Sequence, residues 1–272
     1  MNFPQSEKTR LATQYGPWAV VTGASSGIGR ELAERLAESG LHLLLVARRQ
    51  DELERLALDY ARRYRVETRA VAADLSRPEG IDRALEAARE VDAGLFVAAA
   101  GFGTSGIFHE SSLEEELNML QVNCAALMKL THHFSGQFIG RGGGGIILLS
   151  SMVGFQGTPY AANYAATKAY VQSLAEALAV ELRPYGVDVL AAAPGPVLSG
   201  FADRAGMRMG MALKPSDVGV PILKALGRRS TVLPGRLTKL LVGALRTVPR
   251  WGKVRIMSLV MGGMTQHQRT TE

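Results

Sequence analysis

Cysteine is nearly missing from this chain. Cys124 stands alone among 272 residues, so no intramolecular disulfide and no cysteine-built metal cluster is available. That usage leads us to expect a cytoplasmic setting. Uninterrupted apolar runs of about 18 residues are also lacking, which argues against a membrane-spanning helix. The opening stretch MNFPQSEKTRLATQYGP lacks the apolar core of a secretory signal. Acidic residues almost vanish toward the C-terminus. From Val218 to Glu272 there are ten Lys/Arg against one acid, net +9, while the rest carries 21 basic and 24 acidic residues, net −3. The overall charge of +6 thus belongs to the tail. Such a tail suits an anionic membrane surface, an acidic partner or a solvated basic face. No aromatic-interleaved basic stripe or DNA-binding motif accompanies it, so nucleic acid is not an expected partner. His42, His109, His132, His133 and His267 show no ligand spacing, and no metal is expected.

What is present supports a large folded core: 47% of residues are hydrophobic and 21% charged. Short β-rich runs alternate with helical patterns. WAVVTG reads as a strand, GIGRELAERLAESG as a helix stopped by Gly40, LHLLLVA as a buried strand and QDELERLALDYARRY as an amphipathic helix. VETRAVAAD, GLFVAAAG, VDVLAAAP and TVLPG continue the strand series. One long helix is predicted from about Ser112 to Phe138, and the loop Gly142 to Gly145 should lead into strand IILLSS. Near-continuously apolar strands separated by helices mean a parallel sheet covered on both faces. The expected fold is α/β, a doubly wound parallel sheet of Rossmann type with about seven strands and a short helical C-terminal tail. Domain 1–234 divides into a cofactor half, about 16–110, and a substrate half, about 111–234. Residues 235–272 form a basic amphipathic tail of two short helices interrupted by Pro249.

Three patterns carry chemistry. The first strand runs into Gly23, Ala24, Ser25, Ser26, Gly27, Ile28 and Gly29, then a helix. Glycines allow a tight turn and close backbone approach to a pyrophosphate, and the helix N-terminus offers free N–H groups. The second strand ends in Ala47, Arg48 and Arg49. An acid there would hold ribose hydroxyls and repel a 2′-phosphate. Arginine pairs with that phosphate, so NADP(H) is favoured over NAD(H). Tyr164 and Lys168 lie four apart in a predicted helix, hence on one face. The ammonium should favour phenolate and bring the tyrosine pKa down from about 10.

With these motifs the chain resembles the short-chain dehydrogenase/reductase family over about residues 16 to 234. The resemblance rests on TGASSGIG, Asp74-Leu75, Ala100-Gly101, Asn123, Ser151, Tyr164-x-x-x-Lys168 and Pro194-Gly195-Pro196-Val197, in that order. Within the family, ARRQDEL, AGFGTSG and the basic tail look most like a bacterial DltE-like ketoreductase branch. The resemblance implies that Tyr164 is the acid and base, that Lys168 tunes it and binds the nicotinamide ribose, and that Ser151 holds the substrate oxygen. It also implies that Asn123 orders a relay water and that Asp74 and Leu75 hold the adenine. Ser199 takes the place of a threonine that contacts the carboxamide. Family-spacing selects Ser151 over Ser150, since neighbours on a strand face opposite sides. Relatives pair through the long helix and the tyrosine helix, so a homodimer or homotetramer is expected, with Ala165, Ala169 and Ala177 suited to close packing.

One departure stands out. The family commonly reads Asn-Asn-Ala-Gly where this chain has Ala98, Ala99, Ala100 and Gly101. The missing amides put local rigidity in question and motivate an alternative function, a catalytically silent NADPH-binding sensor or scaffold. For the substrate, Phe102, Met152, Val153, Phe155, Tyr160 and Pro196 are expected to wall an apolar pocket. PVLSGFADRAGMRMGMALK should be its lid, with Met207, Met209 and Met211 adapting to varied shapes. A hydrophobic ketone, fatty 3-oxoacyl thioester or steroid-like carbonyl would suit such a site.

Overall fold

The computed structural model describes residues 3–208, 210 and 212–268. Seven strands form one sheet: β1 (Trp18–Thr22), β2 (His42–Ala47), β3 (Thr68–Ala72), β4 (Ala93–Ala98), β5 (Gly144–Leu149), β6 (Val187–Ala192) and β7 (Thr231–Val232). Their order is β3-β2-β1-β4-β5-β6-β7, and every pairing is parallel.

Alternation of side chains explains why the strands read as solid apolar runs. Ala19, Val21, Leu43, Leu45, Leu95, Val97, Ile147 and Leu149 enter one core. Val20, Leu44, Val46, Phe96, Ala98, Ile146 and Leu148 enter the other. Helices α2 (Gly27–Glu38), α3 (Gln50–Tyr64) and α9 (Pro215–Ala225) supply Leu32, Leu56 and Ile222 to the first. Helices α4 (Pro78–Arg89), α6 (Leu127–Arg141) and α7 (Ala162–Glu181) supply Ile81, Phe134 and Val171 to the second. Each large apolar side chain fully buried this way contributes about 1.5–3 kcal/mol.

Two features differ from expectation. The long helix is broken in register: α5 (Leu113–Leu120) passes through a π-helical turn, Gln121–Ala126, before α6 begins. Such wide turns lie within otherwise helical sequence and leave no periodicity signal. The four glycines are not all loop. Gly144 and Gly145 are the first residues of β5, because a Cβ on Gly144 would meet the Phe138 ring at 2.5 Å and one on Gly145 would meet Tyr15 and Leu95 at 2.9–3.0 Å.

A helix at the N-terminus, α1 (Gln5–Tyr15), escaped the sequence reading. It buries only Leu11 and Tyr15, so its apolar stripe is thin. Polar bonds dock it. Arg10 donates to the Leu223 and Leu226 carbonyls, and the Tyr15 hydroxyl donates to Asp188 Oδ2 at 2.7 Å. The tail forms α10 (Arg236–Arg246) and α11 (Arg250–Met264) on either side of Pro249. The short helix α8 (Phe201–Arg204) lies in the expected lid. Met207 there is buried, whereas Met209 and Met211 lie outside the described residues.

Gly145→Val tests the tight packing beneath β5. Overpacking of this kind should cost about 1–3 kcal/mol, read as a lower denaturant midpoint with an unchanged slope. An unaltered midpoint would mean that Tyr15 and Leu95 give way freely.

Candidate active site

The order of the sheet reverses at β1, whose outgoing loop turns one way while that of its neighbour β4 turns the other. The crevice between them, at the C-terminal edge, is where an open α/β sheet takes its ligand. A cavity of about 1060 Å³ lies there. On its nucleotide side are Gly23, Ser25, Ser26, Gly27, Ile28, Gly29, Arg48, Arg49, Asp74 and Leu75. Ala99, Ala100, Gly101, Pro194, Gly195, Val197 and Ser199 continue the wall.

The turn after β1 fits a dinucleotide. Gly23 and Gly27 hold φ of 66° and 55°, a region that favours glycine. A Cβ on Gly23 would lie 2.7–2.8 Å from the Ala99 and Ala100 backbone, so a side chain would fill the cradle. The N-terminus of α2 opens directly from this turn and presents its free N–H groups. Arg48 and Arg49 stand exposed at the rim, where Arg49 reaches Ser25 Oγ at 3.4 Å. Burial pushes the Asp74 carboxyl up, but the Ser76 N–H and hydroxyl, with Arg48 and Arg77 beyond them, hold it below the usual range.

Among the described residues no amide side chain braces Ala98–Ala100. Thr22 does part of that work: its hydroxyl donates to the Val97 carbonyl and accepts from the Ala100 N–H at 3.2 Å. Asn123 does the rest. Held in the π turn, its Oδ1 accepts from the Phe102 N–H, and its Nδ2 donates to the Phe102 carbonyl at 2.8 Å and to Thr167 Oγ1 at 3.1 Å. Thr167 then donates to the Tyr164 carbonyl at 2.8 Å. The Asn123 side chain is therefore occupied as a brace between the β4 loop and α7, and it does not line the cavity.

Ser151, Tyr164 and Lys168 converge on the cavity floor, all buried. Ser151 is the extended residue that caps the 3-10 turn Met152–Phe155, its hydroxyl accepting from the Val153 N–H. Lys168 Nζ donates to the Leu149 carbonyl at 2.7 Å, and Ser150 Oγ donates back to the Lys168 carbonyl at 2.9 Å. These two bonds lace α7 to the end of β5 and leave Ser150 structural. Lys168 Nζ is 5.8 Å from the Tyr164 ring centre.

The expected fall in the tyrosine pKa is not found. Burial pushes the Tyr164 phenol up to about 12, opposed by a hydrogen bond with Ser151. Burial also pushes the Lys168 ammonium down to about 8. Desolvation outweighs attraction because Nζ is committed to the Leu149 carbonyl and faces the ring.

Of the expected substrate residues, Phe102, Met152, Val153 and Pro196 line the cavity, but Phe155 and Tyr160 do not. Phe155 ends its turn, and the chain leaves extended at Gln156. Tyr160 has a left-handed φ of 61°, its carbonyl accepts from the Gly106 N–H, and it packs against the apolar cluster, several of whose other members line the pocket. The lid contributes two side chains that sequence reading missed. The Phe201 ring centre is 5.2 Å from that of Tyr164, and the Arg204 guanidinium lies 3.7 Å from the Phe102 ring centre. The roof was missed as well. Leu237, Leu241, Leu245, Ile256, Met257, Val260, Met261 and Met264 of α10 and α11 line the cavity, and Met257 and Met261 share a core cluster with Tyr164 and Phe102. Their amphipathic pattern was visible; its target was not.

A parallel sheet with a glycine turn at its switch point and a Tyr–Lys pair beneath defines a dinucleotide-binding α/β protein. The short chain dehydrogenase family model matches residues 17–208, and the chain belongs to that family. It is 31% identical over 230 residues to a 7beta-hydroxysteroid dehydrogenase of Clostridium sardiniense, covering 83% of this chain and 88% of that one. A solved structure concerned with 7beta-hydroxysteroid dehydrogenase stereoselectivity superposes with a TM-score of 0.85 at 28% identity, covering 91% of this chain and 99% of the other. A short-chain dehydrogenase from Sphingobium yanoikuyae in complex with NADPH gives 0.76 at 29% identity, covering 86% and 97%. These matches bear on the family and do not single out the DltE-like branch.

The buried lysine makes a prediction about stability. Between about pH 8 and 10.5 the unfolded chain carries a proton that folded Lys168 has released, so the stability of the cofactor-free protein should gain with rising pH across that window. Lys168→Met should lack this gain. Thermal melts of both proteins from pH 7 to 10.5 test it, and parallel curves would contradict the burial of an ionisable group.

Proposed function

We propose that the chain is an NADP(H)-dependent oxidoreductase that interconverts a carbonyl and an alcohol on a bulky apolar substrate. The observation that carries this reading is the convergence of Ser151, Tyr164 and Lys168 on one cavity, with a nucleotide cradle at one side and an apolar roof at the other. When bound, the nicotinamide supplies or accepts the hydride. Tyr164 gives its phenolic proton to the carbonyl oxygen in reduction and takes it back in oxidation. Ser151 holds the same oxygen and stabilises its developing charge. Lys168 offers a cation to the phenolate formed as the proton leaves, and Asn123 positions the helix that carries both groups.

Arg48 and Arg49, with no acid at Ala47, support NADP(H) over NAD(H). Arg48 is assigned to the 2′-phosphate, and Asp74 and Leu75 to the adenine. The cavity runs from the glycine turn to the apolar roof, which supports room for cofactor and substrate together. The hydroxysteroid dehydrogenase relatives and the methionine-rich roof favour a steroid-sized ketone or alcohol. The reading includes a homodimer or homotetramer through α6 and α7, where Met128, Tyr170 and Ala177 remain exposed, although Ala165 is buried within the chain itself. It also includes a cytoplasmic setting, consistent with the free thiol of Cys124.

Steady-state turnover of NADPH over a panel of steroid and aliphatic ketones tests the activity. Tyr164→Phe should lower kcat by about 10³-fold or more, with the Kd for NADPH changed less than about threefold. Substantial residual turnover would remove the assigned role. Arg48→Ala should weaken NADPH by about tenfold or more and leave NADH nearly unchanged. Equal losses for the two cofactors would show that Arg48 does not face the 2′-phosphate.

A further inference from the structure

Helices α10 and α11 do more than roof the cavity. Leu237, Leu241, Ile256 and Val260 line it, yet they are 47%, 42%, 39% and 50% exposed. Side chains that meet both cavity and solvent mark a mouth, so the cavity opens between these two helices. Outside the mouth, Leu240, Trp251 and Leu259 do not belong to the lining of this cavity and are 68%, 71% and 77% exposed. Large apolar side chains left exposed on the two helices that frame the mouth mark an interaction surface.

The charge on the same helices says what kind. Residues 235–268 contain six Lys/Arg and no Asp or Glu. Arg236, Lys239, Arg246, Arg250, Lys253 and Arg255 make no ion pair with any described residue. Unpaired cations beside exposed Leu and Trp are the pattern of a helix lying in a lipid interface. Among the described residues no helix is long and apolar enough to cross a bilayer, so the contact lies along its surface. An acidic protein groove would match the charge, but it would leave an apolar mouth facing that groove without a purpose. A lipid surface matches both.

We propose that α10 and α11 dock the chain on an anionic lipid surface with the cavity mouth against the bilayer. Apolar substrate then passes from lipid toward Tyr164 without crossing bulk water. The delivery step rests on the carbonyl-reductase reading given above; the docking does not.

Co-sedimentation of the full chain with vesicles tests the docking. Phosphatidylcholine vesicles containing phosphatidylserine should pellet the protein at least about tenfold better than phosphatidylcholine alone, and about 1 M salt should release it, since screening shrinks to about 3 Å. The triple variant Leu240→Ser, Trp251→Ala, Leu259→Ser should lose at least about tenfold in partitioning while turning over a water-soluble ketone at the unaltered rate. Lys239→Glu with Arg250→Glu probes the charge alone, at exposed positions where folding is not at stake, and should lose binding to the same vesicles. Wild-type protein left in the supernatant with both vesicle types would overturn the proposal. So would variants that pellet as the wild type does, or a triple variant whose only change is loss of a dimer in sedimentation velocity, which would assign the face to a second copy. Docking without turnover on any ketone would spare this inference and remove the functional reading; turnover without docking would do the reverse.

Discussion

Strands β1 and β4 lie side by side and run in the same direction, yet the chain builds outward from β1 through β2 and β3 before returning to lay down β4. Their outgoing loops must part, and the gap can be closed only by backbone. Gly23 meets the Ala99–Ala100 backbone so closely that no side chain fits between them. Thr22 ties the two loops with one hydroxyl that both gives and receives a hydrogen bond. Everything the site needs is referred to this junction: the helix start at Gly27 on one side, Gly101 and Phe102 on the other.

From the junction the order spreads by short polar links through an otherwise apolar interior. Asn123 clamps Phe102 and reaches Thr167, Thr167 reaches Tyr164, and Lys168 is laced to the end of β5. A buried network is stabilising only when each member is satisfied, and losing one leaves groups that cost about 1–3 kcal/mol apiece. The π turn that delivers Asn123 is part of that account. It spends local helix regularity to set one amide where the two halves of the sheet meet.

The sheet and the nucleotide cradle were legible because they depend on local signals: continuous apolar strands, positive-φ glycines and an i, i+4 tyrosine and lysine. What escaped depends on distant partners. Gly144 and Gly145 read as loop, since only the positions of Phe138, Tyr15 and Leu95 reveal why a strand needs them. The direction of the Tyr164 shift was misjudged because spacing places a cation nearby but says nothing of the carbonyl that engages it or of the water excluded around it. Phe155 and Tyr160 fall outside the cavity lining, and for Tyr160 the structure selects packing over lining, a choice that only the path of the backbone makes. The roof helices announced themselves as amphipathic, but an apolar stripe does not name the surface it will meet.

The roof is made after the rest of the site. The cradle and the floor are encoded by Ser199, whereas the roof ends at Met264, 65 residues later. At a synthesis rate of about 5–20 residues per second, about 3 to 13 seconds separate the two. During that interval the residues of the cradle and the floor are in the chain, while those that shelter the floor are not. Completion of α11 thus acts as a clock: the residues of a nucleotide cradle are in place along the chain before those of the chamber that shelters its floor.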